Sequence, residues 1–272
     1  MKIEDITTEV LNSKKYANVD KNVVARISAE IIPRYPKRKD VIKAVKKELH
    51  IIHESFLQDD CYLKVEQLLT NYPGKDINKD ESFIRADKEF ALKLLALHSS
   101  TKERLRQVEE IYQYLNKYIQ AEDEVIDIGC GFNPLALPFL ENKPQKYTAF
   151  DISSATISIL NKYFELSGFA YQAAIYDAAA GVPGIRGDIL LLFKLFPLLE
   201  YQKKGRAFEL LNSLDCRRYI ISFPTKSASG KEKGMEQYYS SRFEKELPEK
   251  FSIIEKKVFL NEMFYILERK NF

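Results

Sequence analysis

The hydrophobic period of this chain changes at Glu122, and that change limits the fold more than any other feature. Ahead of it, apolar residues recur at helical spacing. Val23, Val24, Ile27 and Ile31 share one face, and Pro33 and Pro36 end the run. Asp40 is expected to cap a second helix carrying Val41, Val45, Leu49, Ile52 and Phe56. Cys61 to Leu69 reads as a third helix, broken by Asn71-Tyr-Pro-Gly-Lys75, and Phe83 to Leu97 as a fourth. Ser100-Thr-Lys-Glu103 has the spacing of a capping box ahead of Leu105, Val108, Ile111 and Leu115. Beyond Glu122, short β-rich runs take over: Val125–Ile128, Tyr147–Phe150, Ile189–Lys194, Tyr219–Ser222, Ile253–Val258 and Phe264–Leu267. Helical stretches at Ser154–Leu166, Gln202–Ser213 and Met235–Leu247 separate most of them. Strands alternating with helices imply a parallel sheet covered on both faces. Only Phe259 to Met263 lies between the last two runs. That is too short for a parallel crossover, so an antiparallel hairpin is expected there.

The expected fold class is therefore α/β: a mostly parallel, Rossmann-like sheet with an antiparallel last strand, the shape of class I methyltransferases. An all-helical N-terminal domain should precede it, with residues 1–104 helical and 105–272 forming the sheet domain. Cys61, Cys130 and Cys216 are far apart, and no CxxC or Cys/His cluster is present to hold zinc. Free thiols and no metal are expected. The N-terminus has no apolar signal core, and the longest apolar run, Ile189 to Phe193, falls far short of the ~20 residues that span a bilayer. A soluble, cytoplasmic protein without a membrane partner follows as the expectation.

The stretch Glu124-Val-Ile-Asp-Ile-Gly-Cys-Gly-Phe-Asn-Pro134 carries the chemistry. A buried strand runs into Gly129-Cys130-Gly131, where two glycines allow a tight turn and close approach of a ligand to backbone. A dinucleotide site would need a third glycine and helix N–H groups for a pyrophosphate. Leu135 stands at the third glycine position, and Pro134 removes an N–H. S-adenosylmethionine has no phosphate and does not need them. The loop resembles the methyltransferase pattern D/E-x-G-x-G, with Asp127, Gly129 and Gly131. A second strand ends at Asp151, placed either to cap a helix or to accept hydrogen bonds from the ribose hydroxyls of that cofactor. Asp177, in Ala174-Ile-Tyr-Asp177, is either a loop acid or the acceptor for the adenine amino group.

Several segments together resemble the aminoglycoside-resistance 16S rRNA (guanine-N7) methyltransferases. They are Leu97-His-Ser-Ser-Thr-Lys-Glu-Arg-Leu105, Asp127-Ile-Gly-Cys-Gly-Phe-Asn-Pro-Leu-Ala-Leu137, Phe193-Lys-Leu-Phe-Pro-Leu-Leu-Glu200, Ser222-Phe-Pro-Thr-Lys226 and Lys233-Gly-Met-Glu236, with Ser13-Lys-Lys-Tyr16 near the start. The resemblance implies methylation of a guanine in the ribosomal decoding site with S-adenosylmethionine as cofactor. It places His98 and Arg104 toward the methionine end, Arg104 paired with its carboxylate. Asn133 and Pro134 would shape the loop. Cys130, Ile152, Tyr176 and Phe193 would complete the cofactor site. Phe193, Lys194, Pro197 and Met235 would position the target base. The Asn-Pro-Pro-Tyr element of amino-group methyltransferases is absent, which agrees with a ring-nitrogen target. Guanine N7 has an in-plane lone pair and needs no general base, so no catalytic acid or base is nominated.

The net charge is +3, from 42 Lys and Arg against 39 Asp and Glu, so only its distribution can argue for nucleic acid. Arg34, Lys37, Arg38, Lys39, Lys43, Lys46 and Lys47 lie within fourteen residues against Asp40 alone, and Lys14 and Lys15 precede them. Alone, such a run is a solvated face. Beside the family resemblance it becomes a phosphate-contacting surface for the 30S subunit. Lys226, Lys231 and Lys233, in a loop with Gly230 and Gly234, extend the expected RNA contacts. Lys231 stands where relatives carry Arg, keeping the charge but not the bidentate fork. Asn71 to Arg85 is longer than in the shorter members. The expected partner is the 30S subunit and its 16S rRNA, not DNA, with the chain a monomer. Two alternatives stand beside this reading: methylation of adenine N1 in the same RNA region or of a small molecule, and a non-catalytic RNA-binding protein retaining the fold.

Overall fold

A computed structural model describes residues 1–53, 56, 60–72, 81–181, 184–225 and 235–270, without the side chains of 81–84 and 235–238. The most apolar strand sits in the middle, as burial on both faces requires. Ile-Leu-Leu-Leu-Phe forms β4 (Ile189–Phe193), buried at every position. It lies between β1 (Glu124–Ile128) and β5 (Arg218–Pro224). Outside β1 come β2 (Lys146–Asp151) and β3 (Gln172–Ile175). Outside β5 come β7 (Glu262–Arg269) and then β6 (Phe251–Phe259). The order β3-β2-β1-β4-β5-β7-β6 is parallel except at β7, which runs antiparallel to both β5 and β6. The hairpin expected between the last strands is present, and its loop shrinks to Leu260-Asn261.

Among the described residues, seven helices precede β1 apart from short 3-10 turns: α1 (Ile3–Leu11), α2 (Lys21–Ile31), α3 (Arg38–Ile52), α4 (Cys61–Leu69), α5 (Glu81–Leu95), the short α6 (Ser99–Lys102) and α7 (Val108–Leu115), which leads into the sheet. The first three bury a cluster of their own, including Ile6, Val10, Val24, Ile27, Val41, Val45 and Leu49. Side chains of α4, α5 and α7 instead join the apolar layer on one face of the sheet, beside α8 (Ser154–Ser167). The opposite face is covered by α9 (Phe196–Gln202), α10 (Arg206–Ser213) and α11 (Met235–Glu246).

Four local expectations need correction. Asp40 lies in the first turn of α3 rather than at its cap, because Lys37 takes the extended cap conformation. The capping box at Ser100 does not form. Thr101 Oγ1 donates back to Leu95 O and His98 O, and Ser100 lies inside α6. The helix expected over Gln202–Ser213 is two helices, since Lys203 is extended and Gly205 adopts φ +83° between them. Helix α1 was not foreseen.

The α1–α3 unit meets the sheet at the loop after β2. Val19 forms an antiparallel bridge with Ser153, Asp20 N–H donates to Ile152 O (2.8 Å) and Ser154 N–H to Asn18 O (2.8 Å). Asp20 also caps α2 through Asn22 N–H (2.9 Å), so one residue starts the helix and anchors it. No helix among the described residues is long and apolar enough to cross a membrane, and none of their His, Cys, Asp and Glu side chains gather into a group suited to a metal.

Candidate active site

A cleft opens at the carboxyl ends of β1, β2 and β4, where parallel α/β sheets take ligands. It gathers most of the residues expected from sequence: His98, Arg104, Gly129, Cys130, Gly131, Asn133, Asp151, Ile152, Tyr176, Asp177, Phe193 and Lys194. Asp127, Pro134 and Pro197 do not line it. The side chain of Met235 and residues Lys226, Lys231 and Lys233 lie outside the described residues, as does most of the stretch from Asn71 to Arg85.

The glycine turn is built as the sequence implies. Gly129 and Gly131 take φ +64° and +48°. A Cβ on Gly129 would fall 2.7 Å from Leu195, and one on Gly131 would fall 3.2 Å from the His98 ring. Gly131 N–H donates to Asp151 Oδ2 (2.9 Å) and Ser153 N–H to Asp151 Oδ1 (3.0 Å). A carboxylate offers about four acceptor positions; with Ile152 N–H also turned toward it, Asp151 still keeps acceptor capacity for a ligand. Burial pushes its carboxyl above the ordinary value, against those backbone N–H groups.

Asp127 serves a different purpose from the one its motif suggests. It is fully buried behind the turn, accepting from Tyr147 OH (2.6 Å) and Asn133 Nδ2 (2.8 Å). Burial, only partly opposed by those bonds, raises its carboxyl to about 6. Asn133 then turns its Oδ1 to Tyr112 OH (2.9 Å) and Arg104 Nη1 (3.1 Å). Arg104 in turn grips Glu262 with both Nε (2.6 Å) and Nη2 (2.8 Å), and its guanidinium stands 5.0 Å from the Phe193 ring centroid. Three of its five N–H groups are thus used and two remain.

Glu262 closes this chain of polar groups and was not anticipated. It accepts from Ser222 Oγ and lies 3.5 Å from Lys194 Nζ, which itself pairs with Glu103 at 2.6 Å. Burial pushes the Glu262 carboxyl up, but Arg104 and Lys194 outweigh it and hold the group below its ordinary value. The one local signal was an acid opening the apolar run Met263–Leu267. Lys194, expected to position the target base, lines the cleft with its ammonium paired to Glu103 and near Glu262, and its backbone at φ +56°.

His53, Phe56, Tyr62, Thr156 and Gln202 also line the cleft without having been foreseen. His53 and His98 are buried, each with an unpartnered Nδ1. Burial lowers their pKa values to about 4 and about 3. His98 stacks on Phe56 at 6.1 Å. Cys130 is an inert thiol, pushed up by burial and then by Asp151.

These features fit S-adenosylmethionine. A glycine turn packed too closely for a Cβ, free acceptor capacity on Asp151, two unused guanidinium N–H groups and a pair of orphaned imidazole nitrogens all meet in one cleft. Asp177 is the exception in detail, because Arg26 of α2 already engages its carboxylate (2.7 Å).

The sequence profile of the ribosomal RNA methyltransferase (FmrO) family matches residues 12–266. The chain belongs to that family. Among curated relatives, a 16S rRNA (guanine(1405)-N(7))-methyltransferase of Serratia marcescens is 32% identical over 99% of both chains. One of the same description from Proteus mirabilis is 30% identical over 98% of this chain and 97% of its own. Of solved structures, the 16S rRNA methyltransferase RmtF, in complex with S-adenosyl-L-homocysteine, superposes with a TM-score of 0.87 at 31% identity, covering 98% of each chain. The 16S rRNA methylase RmtB gives 0.81 at 29% identity over 99% of each. In this FmrO-family member, the basic residues expected to meet RNA sit on the α1–α3 unit. Arg34, Lys37, Arg38, Lys39, Lys43, Lys47, Lys14 and Lys15 are exposed and Lys46 half-buried. Lys39, Lys43 and Lys47 follow one another at i, i+4, i+8, opposite the buried Val41, Val45 and Leu49. Lys14 pairs with Asp60 and Arg38 with Glu9.

Proposed function

We propose that this chain transfers a methyl group from S-adenosylmethionine to N7 of a guanine in the 16S rRNA of the small ribosomal subunit. The observation that carries this reading is similarity along essentially the whole chain to an enzyme named for that reaction. The cleft supports it chemically. The cofactor supplies an electrophilic methyl on a sulfonium. The two unused N–H groups of Arg104 suit a carboxylate, and Asp151 retains acceptor capacity for the ribose hydroxyls. Phe193 ends β4 and Lys194 follows it, both lining the cleft. With a lone pair already free on N7, the work of the chain is alignment and exclusion of water. That agrees with His53 and His98 being held neutral, since neither is placed to act as a charged acid at neutral pH.

Helices α1–α3, within the helical region expected over residues 1–104, serve in this reading as the RNA-docking module. Their Lys and Arg side chains would contact phosphates of the folded subunit, with the enzyme acting as a monomer and not on DNA. Methylation of purified 30S subunits in vitro, followed by mapping of the modified nucleotide by mass spectrometry, tests the proposal. A single 7-methylguanosine is expected. A methyl on adenine N1, or none on RNA while the cofactor still binds, would reject it.

A further inference from the structure

We infer that Arg26, on the RNA-docking module, is a positioning residue of the cofactor site. It fixes Asp177 as the acceptor for the adenine amino group. This rests on the proposed cofactor reading of Asp177. Arg26 lies 151 positions earlier in the chain, yet its Nε is 2.7 Å from Asp177 Oδ2 and its Nη2 3.3 Å from Oδ1. The same Nη2 donates to Gln202 Oε1 (2.9 Å), and Nη1 to Glu30 (3.1 Å). Asp177 and Gln202 line the cleft while Arg26 does not. It therefore acts on a ligand only through them.

Acceptor counting makes the arrangement specific. Of the four lone-pair positions on the Asp177 carboxylate, Arg26 takes two and Ala179 N–H takes a third (3.0 Å). One remains, on Oδ2. A carboxylate on the loop after β3 would otherwise rotate among several rotamers. A planar two-point grip removes that freedom before the ligand arrives, which is how preorganisation raises affinity and selectivity. Side chains of Arg26 and Asp177 are only 18% and 14% exposed, so the grip is shielded from solvent unlike an ordinary surface ion pair. The module is also tied to the other cofactor acid. The bridge Val19–Ser153 and the bond from Asp20 N–H to Ile152 O hold the loop that directly follows Asp151 at the end of β2. The helical module thus forms part of the cofactor site as well as carrying the basic surface.

The test compares two ligands by calorimetry on the full chain: S-adenosylhomocysteine and S-inosylhomocysteine, in which a carbonyl oxygen replaces the amino group. The wild type should prefer the first by at least about tenfold, because a remaining lone pair repels the carbonyl. Asp177→Asn should lose most of that preference. Arg26→Met should cut it at least about fivefold while affinity for 30S subunits stays near wild type, and Arg26→Lys, with its charge but no planar fork, should fall between. If Arg26→Met weakens both ligands equally, or keeps the wild-type ratio, the role of Arg26 is overturned while that of Asp177 stands. A wild type without preference, or Asp177→Asn retaining it, overturns both. Should Arg26→Met fail to fold, the ratio in Arg26→Lys decides: reduced supports the inference, unchanged refutes it.

Discussion

Replacing Glu262 by Gln removes one negative charge from a site with almost no water. Glu262 is 2% exposed and Arg104 is 6% exposed. In the wild type, Arg104 is balanced by a two-point contact at 2.6 and 2.8 Å, and Lys194 adds a third interaction at 3.5 Å. A glutamine can accept only one of the two guanidinium bonds, and its NH₂ faces another donor. Arg104 is then a buried cation without a carboxylate, a change that costs about 3–5 kcal/mol in comparable buried pairs. For a chain of this size that is a fall in Tm on the order of 10 °C. Urea unfolding with circular dichroism measures it, alongside Arg104→Met and the double variant Arg104→Met/Glu262→Met. The double variant should be more stable than Glu262→Gln alone, because it leaves no unpaired charge. The pH dependence carries a second signature. Because Glu262 titrates below its ordinary value in the folded state, its contribution is complete above the unfolded carboxyl pKa and is lost as pH falls through the folded one. Glu262→Gln should lack that acid loss. A variant within about 1 kcal/mol of wild type, with single effects that simply add, would show that the pair is solvated and the reasoning wrong.

Three further outcomes are expected. His53 and His98 are held neutral down to about 4 and about 3, against 6.5 when unfolded. Their share of stability is therefore complete above pH 6.5 and lost as pH falls toward 4, at about 1.4 kcal/mol per pH unit for each ring. The His53→Gln/His98→Gln variant should have a shallower acid slope in urea titrations, and an equal slope would mean that both rings titrate normally. Gly131→Ala must hold φ +48° and place a Cβ 3.2 Å from His98, costing about 1–2 kcal/mol in the backbone alone. Calorimetry should find S-adenosylhomocysteine binding reduced at least about tenfold, and undiminished binding would separate this turn from the ligand. Each of Lys39→Ala, Lys43→Ala and Lys47→Ala should weaken 30S binding and lower the slope of log affinity against log salt by about 0.7–0.9. Sedimentation at several salt concentrations measures this, and unchanged slopes would remove α3 from the RNA surface.

What could be read from the residues, and what could not, divides by distance along the chain. Local periodicity located six of the seven described strands, because burial on both faces forces continuous apolar runs such as Ile189–Phe193; it missed β3 (Gln172–Ile175), a short and mostly exposed edge strand. The glycine turn was legible because glycine takes φ +64° and +48° without strain and has no Cβ to meet Leu195 and His98. The cofactor role proposed for Arg104 came from a motif, but its partner did not. Arg104 and Glu262 are 158 positions apart, and Arg26 and Asp177 are 151 apart. No spacing rule links residues that meet only after the sheet has closed. Asp127 shows the same limit from the other side. Its motif position suggested contact with the cofactor, yet the strand directs it away from the cleft, and it acts by orienting Asn133, which orients Arg104. The first acid of the motif is therefore better understood as the buried end of a chain of hydrogen bonds whose other end reaches the cleft. Its Oδ2 supplies the one acceptor that two donors, Tyr147 OH and Asn133 Nδ2, need where water cannot reach.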